Sequence, residues 1–506
     1  MSIDAALLIA RSGLLHTQRA LSNAAENVAN ANTEGYTRKR IAGEAISANG
    51  QGSGVRTLGP MREVDTALVN EMNKRRSAKS AAEIREATLD RISQAHGNPA
   101  NADGLGDLVA KLRTSFVELR ADPSQVAKQQ TIVLGVATNL TDRFNELAHV
   151  IGEARQGAHD SIVTEITQVN STIREITTLT RDIMERKGAG IPTADIEDQR
   201  DLALARLSDS IGVTPIHQQN GGLILLGAGG LTIPLLESGD VFAVDGATIE
   251  DGSFYGTGGS IPPITLKGAD ITSQMMGGRI GAQLILRDQS LPRYQAEIDT
   301  AAAEIADRFR AEGLRLFTDS DGSVPNPDLP YAGSTQIGFA ARMQVNSAVQ
   351  NDVRLVRDGT ETIVGPPAFT PNPIGGPAAF TGLIDRVLNQ SFGATASGGA
   401  SWGGFRTIGL GPDGSLSSPF GSPSTIQDYS SLITGTQTAD SAEAVRSLET
   451  AKQYSEGLEA RFTRQSRVNV DSEMASLIQL QSAYAANARV LSTAQSMWET
   501  LIGAVR

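Results

Sequence analysis

The sequence predicts a mainly α, elongated, multidomain protein with terminal coiled-coil helices, a long-helix bundle and a small inserted β domain. Three observations predict it. Both ends of the chain carry the same heptad pattern, one apolar stripe runs without interruption from Val133 to Ile183, and the periodicity switches from helical to strand-like between Val213 and Lys267.

At the N-terminus Ile3, Leu7, Ala10, Leu14, Thr17, Leu21, Ala24, Val28 and Ala31 alternate at spacings of three and four. At the C-terminus Leu477, Leu480, Tyr484, Asn487, Leu491, Ala494, Trp498, Leu501 and Val505 do the same. The mean repeat of about 3.5 is that of a helix in contact with a partner along its length. A terminal amphipathic helix is commonly only the docking element of a globular domain. Here a second face, Met474, Ile478, Ala485, Ala488 and Ile502, adds small and apolar residues that one partner does not use. Asn487 puts a polar group inside the seam, where it fixes register at a cost in stability. Asp471 is the candidate N-cap, with Glu473 in the first turn.

The first helix is expected to stop near Asn30, and Asn32-Thr33-Glu34-Gly35 fits a type I turn. Arg38, Lys39 and Arg40 read as a solvated basic turn, and Ala42 to Pro60 as irregular or hairpin structure. Helix resumes around Glu63 and ends at Gly97-Asn98-Pro99. Another begins near Leu105 and is closed by Asp122-Pro123. The long stripe follows to Gly188, roughly 80 Å of rod, with Gly157 as the candidate for a bend. Asp195 to Ile211 reads as helix with Gly212 as its stop.

Between Val213 and Lys267 short apolar runs are bounded by Gly, Asn and Asp, and Asn220-Gly221 is a hairpin signal. Pro292 is a favourable first-turn residue for the helix carrying Ile298, Ala302, Ile305 and Phe309. The Gly/Pro/Ser-rich stretch near 365–423 reads as a surface excursion. Asp440-Ser441-Ala442-Glu443 has the form of a capping box opening the next helix. The expected domains are 1–41 with 468–506 as a terminal coiled coil, 42–212 with 268–467 as a helix bundle, and 213–267 as the β insertion.

Composition narrows the function classes. A net charge of -12 argues against nucleic acid as a partner, and no apolar run is long enough to span a membrane. Aromatic residues make up only 4%, which suits extended bundles better than thick cores, and cysteine is absent, excluding disulfides and thiolate metal sites. The N-terminal run lacks the basic start of a conventional signal peptide.

Reactive chemistry finds no support. Gly222 to Ile233 lacks the third glycine of a dinucleotide loop and reads as a hairpin turn. Asp319-Ser320-Asp321-Gly322 lacks the later ligands of a calcium loop. The five histidines are scattered, and His149 and His159, ten residues apart, do not share a face at metal spacing. No enzyme activity, cofactor or metal is expected.

The residues themselves carry a resemblance. Glu26 to Arg40, with Gly35-Tyr36 after an Ala/Asn-rich turn, and Val468 to Ile502, with its run from Gln481 to Ala488, closely resemble the paired terminal signatures of flagellar rod, hook and hook-associated proteins. Leu480 departs from the aromatic residue common there. Asp195 to Val213, with its Asp-Gln-Arg-Asp segment, and Gly277 to Gly313 resemble the member of that family that joins the hook to the filament.

The resemblance implies a structural subunit self-assembling into a ring or junction zone, in contact with the hook protein, a second junction protein and the filament. It implies export without a cleaved signal by the flagellar type III pathway, and a cytoplasmic export chaperone on the C-terminal helix. The assembly interface is then expected at Leu7, Leu14, Leu21, Val28, Asn30, Asn32, Gly35 and Tyr36, and at Leu477, Leu480, Tyr484, Asn487, Leu491, Trp498 and Leu501. A hook or distal rod subunit is the rival within the family, although those usually lack the long paired interior helices. An unrelated extended extracellular adaptor or adhesin is the rival outside it.

Overall fold

The computed structural model describes residues 3–48, 51–97, 101–125, 130–236 and 238–505. Helix α1 (Ile3–Ala29) ends where the Asn30 side-chain amide donates back to Glu26 O at 3.1 Å. The turn after it lies one residue later than expected. Tyr36 N donates to Thr33 O, which places Gly35 third in the turn at φ +77°, the left-handed position glycine fills in a type II turn. Strands β1 (Lys39–Ala48) and β2 (Gln51–Arg62) then pair antiparallel, with Lys39 opposite Arg62. The hairpin lies on α1: Ser12 Oγ accepts from Val55 N at 3.1 Å, and the His16 ring packs on Gly43, where a side chain would collide. The boundary expected at 41/42 therefore runs through a paired strand.

The bundle opens with α2 (Thr66–Ala95), three residues after the expected start. Asp65 caps it, its carboxylate accepting from Ala67 N and Leu68 N. Next come α3 (Leu105–Ala121) and α4 (Thr131–Gly188), the latter unbroken through Gly157 and about 87 Å long. Every apolar residue of the stripe from Val133 to Ile183 is buried. Helix α5 (Ala194–Ser210) then packs back along α4.

The β region is two three-stranded antiparallel sheets. The first holds β3 (Val213–His217), β4 (Leu223–Gly227) and β5 (Thr232–Ile233), so the glycine-rich stretch after β4 is a hairpin turn. The second holds β6 (Phe242–Ala243), β7 (Thr265–Leu266) and β8 (Ala269–Asp270). The region has no core of its own. Leu225, Phe242 and Ile264 are buried among Ile162, Ile166, Val169 and Ile173 of α4 and Leu204 and Leu207 of α5. Asn170 fastens the second sheet to α4, accepting from Val241 N and Phe242 N at 3.0 and 2.9 Å and donating to Phe242 O at 2.7 Å.

Pro292 lies in the first turn of a helix, as expected, but the helical path does not begin there. The helical path starts at α6 (Gly278–Ile285), passes through a π turn at Leu286–Ser290 and continues as α7 (Leu291–Ala311). A proline inside a helix crowds the preceding turn and removes an N–H, and the wider π turn lies where that crowding falls. Arg155 Nε donates to Arg287 O in that turn at 2.9 Å.

Beyond α7, β9 (Phe317–Thr318) pairs with β10 (Gln344–Val345), and the short helices α8 (Phe339–Arg342), α9 (Ser347–Asn351), α10 (Leu355–Asp358) and α11 (Gly382–Arg386) follow the surface of the bundle. Strands β11 (Ile408–Leu410) and β12 (Leu416–Ser417) form a last small pair. The Gly/Pro-rich stretch is not a surface excursion: Leu383, Ile384, Val387, Phe392 and Phe405 complete the bundle core. Phe392 meets Phe309 edge-on at 5.3 Å. Arg308 organises the stretch from beneath, donating to Ser424 O at 2.8 Å with its guanidinium 4.6 Å from the Phe405 ring centroid.

Helix α12 (Ile426–Ser466) starts fourteen residues before Asp440, at a Thr425 cap that accepts from Asp428 N at 3.2 Å. Asp440 lies inside the helix, where Arg293 and the Tyr294 hydroxyl reach it at 2.6 and 2.7 Å. The last helix, α13 (Val470–Val505), is capped by Asn469 rather than Asp471, with Asn469 Oδ1 accepting from Ser472 N at 3.0 Å. It returns along α1.

Candidate functional site

Four segments converge where the terminal pair meets the bundle. Asn23 and Asn27 stand one turn apart on the inner side of α1, and both side-chain amides donate to Lys39 O, at 2.7 and 2.9 Å. Asn27 Oδ1 accepts from Lys39 N at 3.1 Å and from the Tyr36 hydroxyl at 3.0 Å. Two buried asparagines thereby satisfy the backbone of the first strand residue, which no neighbouring strand could do.

Lys39 is itself buried. Its ammonium lies 3.5 Å from the Tyr36 ring centroid and pairs with Asp198 of α5 at 3.1 Å and with Asp195. Thr37 gives the same Asp198 carboxylate its N–H and hydroxyl, at 3.1 and 2.6 Å. From β2, Arg62 reaches Asp198 at 2.8 Å and also Asp201. Burial works against the Arg62 charge, but Asp201 and Asp198 outweigh it and hold its pKa above the ordinary value. Burial, with Glu26 and Asp195 nearby, pushes the Tyr36 phenol well up, so it stays a neutral donor to Asn27.

The last helix enters through Glu473. Its carboxylate is buried, accepting from Arg38 Nε at 2.6 Å and Asn27 Nδ2 at 3.2 Å. Arg38 also reaches Glu63 at 3.2 Å, and its backbone N–H donates to Ser466 O at 2.8 Å. Burial opposes the Arg38 charge, yet the bond and charge of Glu473 raise its pKa. The Asp-Gln-Arg-Asp segment divides its work. Asp198 and Asp201 face this hub, whereas Arg200 turns away to Gly221 O at 2.8 Å and His217 Nδ1 at 3.1 Å, bracing the β3–β4 turn.

Away from the hub the two helices run antiparallel, in a register set by Asn27 with Glu473 and by Gly13 with Asn487. Leu7, Leu14, Leu21 and Val28, together with Leu477, Leu480, Asn487 and Leu491, are half-buried. Tyr484 is exposed, as are Trp498 at 39% and Leu501 at 52%. The register brings Ile3 level with Met497, so Trp498 and Leu501 stand past the first described residue of α1. Asn30 closes α1, Asn32 is in solvent, Gly35 packs on Leu202 and Tyr36 lies in the hub.

The sequence reading missed Asn27, Lys39, Arg62, Asp198 and Glu473 as one cluster. A usable signal existed in Asn23 and Asn27, amides at i and i+4 next to the inward stripe. Among the described residues no group of three or more His, Asp or Glu converges as a metal site, and Asp319 is engaged by Arg342 at 3.0 Å. Among them, too, no helix is long and apolar enough to cross a membrane.

Comparison with known proteins matches three parts of the chain. The family model of the flagellar hook-associated protein FlgK helical domain covers residues 89–316. The flagella basal body rod protein model covers 7–37, and the flagellar basal body rod FlgEFG protein C-terminal model covers 460–504. Flagellar hook-associated protein 1 of Salmonella typhimurium is 25% identical over 70% of this chain and 66% of its own length, so the chain spans just under two thirds of that relative. The protein of the same name from Escherichia coli is 22% identical over 97% of this chain and 98% of its own. That from Bacillus subtilis is 27% identical over 45% and 47%. A solved structure of the flagellar hook junction protein FlgK from Burkholderia pseudomallei covers 51% of this chain and 46% of its own, at 21% identity and a TM-score of 0.41. The helical body and both terminal helices thus match flagellar proteins, and over these parts the chain is similar to flagellar hook-associated protein 1.

Proposed function

We propose that this protein is a non-enzymatic structural subunit joining the flagellar hook to the filament, assembling in multiple copies through its terminal helix pair. The observation that carries the proposal is the apolar surface this pair leaves uncovered. Ile478 is 63% and Leu8 62% exposed, and Leu501 and Ile502 near the end of α13 are exposed as well. Two helices bury one seam. Covering the rest requires neighbours, and the gain from covering it offsets the entropy of ordering the helices.

On this reading the α1–α13 pair and its hairpin form the assembly unit, and the bundle with its β region is the body it carries. Neighbouring copies, the hook protein and a second junction protein supply the covering surfaces. Export proceeds through the flagellar type III pathway without a cleaved signal, with a cytoplasmic chaperone shielding α13 beforehand.

Trp498 and Leu501, both exposed in the subunit, test the proposal. The double variant Trp498→Ala, Leu501→Ala should unfold at the wild-type denaturant midpoint. In a deletion strain it should be exported yet leave hooks without filaments and flagellin in the medium. Normal filaments from this variant would refute the assembly role of α13.

A further inference from the structure

Residues 244–264, between β6 and β7, contain neither helix nor strand and are longer than an ordinary connection. This strap crosses α4 between its two apolar stretches, Val133 to Ala154 and Ile162 to Ile176. Side chains of α4 tie it down. Gln156 Nε2 donates to Ala247 O at 3.1 Å, and Gln156 Oε1 accepts from Ile249 N at 2.7 Å. Arg155 donates to Glu250 O at 3.3 Å, to Ser253 O, and to Arg287 O of the π turn at 2.9 Å. Farther along, the Asp251 carboxylate lies where a Gly338 side chain would start, and Gly338 N donates to Asp299 at 2.8 Å. His159, one turn along α4 from Arg155, is fully buried. Its Nδ1 lies 3.2 Å from Arg287 Nη1. A guanidinium only donates, so Nδ1 accepts and the neutral ring carries its proton on Nε2, beside the Asp245 backbone of the strap.

We propose that His159 is an acid-released pin for this strap. A second proton on the ring puts Nδ1–H against the Arg287 guanidinium, and a third cation then joins Arg155 and Arg287. Asp288, bidentate on Arg287 at 2.7 and 2.8 Å, is already engaged. Asp160 is the next residue of α4, and from the strap Asp245 and Glu250 are exposed. Burial holds the imidazole below its ordinary pKa, and Arg287 adds to this against Asp160 and Asp288. Burial also pulls the neighbouring Arg155 guanidinium down to about 10. Relief comes from the side that yields. Helices α4 and α7 are locked in the core, whereas the strap has no ladder of its own, so the strap lifts and His159 reaches water. The closed strap refuses a proton that the open one accepts. It is therefore held fully above the ordinary histidine pKa of about 6.5 and loosens as pH falls, until the closed-state pKa is reached. The device belongs to the body and stands whether or not the subunit sits between hook and filament.

Hydrogen exchange of the full-length protein from pH 7 to 5 tests it, read as protection factors so that the intrinsic pH dependence cancels. The reporters are the hydrogen-bonded strap amides of Ile249, Glu250, Ser253 and Ile261. Their protection should fall by up to about tenfold per pH unit below 6.5, while that of Leu207 in α5 holds. His159→Gln can still accept from Arg287 but does not titrate, and its strap should lose this pH dependence. Arg287→Gln keeps a donor to Nδ1 and removes the facing charge, so the loss should shrink. Asp299, pushed up to about 7 by burial, titrates nearby with the opposite sign, but it is common to wild type and variants and drops out of the difference. Strap protection that ignores pH in the wild type, or that falls equally in His159→Gln, would overturn the proposal.

Discussion

The side-chain amide of Asn487 lies against the bare α-carbon of Gly13, its atoms 3.3 Å from where a β-carbon would stand. Gly13 is mid-helix, where alanine is preferred by about 1 kcal/mol, and the Asn487 side chain of α13 comes close to its bare backbone. Gly13→Ala asks the flexible amide to give by a few tenths of an ångström and should leave pairing intact. Gly13→Leu cannot be absorbed that way. It should raise hydrogen exchange throughout α13 and leave the bundle unfolding midpoint unchanged.

Asp198 is the acceptor on which Thr37, Lys39 and Arg62 converge. Asp198→Asn would leave the buried Lys39 ammonium only the exposed Asp195 and take one carboxylate from Arg62, and should cost up to about 3–5 kcal/mol, the usual result of breaking a buried ion pair from one side. Asp195, also paired with Lys39, is largely exposed, and Asp195→Asn should cost roughly 0–1 kcal/mol. Urea midpoints of the two variants, measured side by side, check the contrast.

His96 is buried at the end of α2, its Nε2 2.8 Å from Gln437 Oε1, while Gln437 Nε2 donates to Glu297 at 2.9 Å. The carboxylate fixes the glutamine orientation, so His96 must donate from Nε2. Burial holds its pKa below the ordinary value, and the charge of Arg143 adds to this. The unfolded chain therefore takes up a proton near pH 6.5 that the folded protein refuses. Stability is fully present above that pH and falls as pH drops, by up to about 1.4 kcal/mol per pH unit, until the folded pKa is reached. His96→Gln should remove this component, and the difference between wild-type and variant stabilities from pH 7 to 5 isolates it.

The β region shares its core with α4 and α5, so it is not a removable decoration. Replacing 213–267 with a short Gly/Ser linker would uncover Ile162, Ile166, Val169 and Ile173. A fully exposed side chain of this kind forfeits roughly 1.5–3 kcal/mol, and a domain's whole margin is about 5–15 kcal/mol. The shortened protein should be insoluble or lose helicity, read by circular dichroism. A soluble product with wild-type helicity would show that the region is dispensable.

What was legible in the sequence was whatever repeats locally. The α4 stripe could be read residue by residue, and the terminal heptads as helices facing a partner, because a helix face recurs every three or four positions. The hub could not, since Lys39, Asp198 and Glu473 are brought together from distant parts of the chain and each alone resembles a solvated charge. The Gly/Pro-rich stretch misled for a related reason. Phe392 and Phe405 are single apolar residues between turns, showing neither helical nor strand period, and Arg308 is what draws their loops inward. Asp440-Ser441-Ala442-Glu443 has the composition of a helix start but lies within α12, where Arg293 and Tyr294 use Asp440. Trp498 and Leu501 continue the heptad yet stand exposed, because period reports a face and not what covers it.

Helix α4 passes through the two larger hydrophobic cores without a break, Val133 to Ala154 lining one and Ile162 to Ile176 the other. A backbone shared in this way makes the body one calorimetric unit. Its heat-absorption curve should be a single peak with equal van't Hoff and calorimetric enthalpies, although the chain folds around two separate apolar centres. Gly157→Pro, placed between them, should break the helix and divide that peak in two.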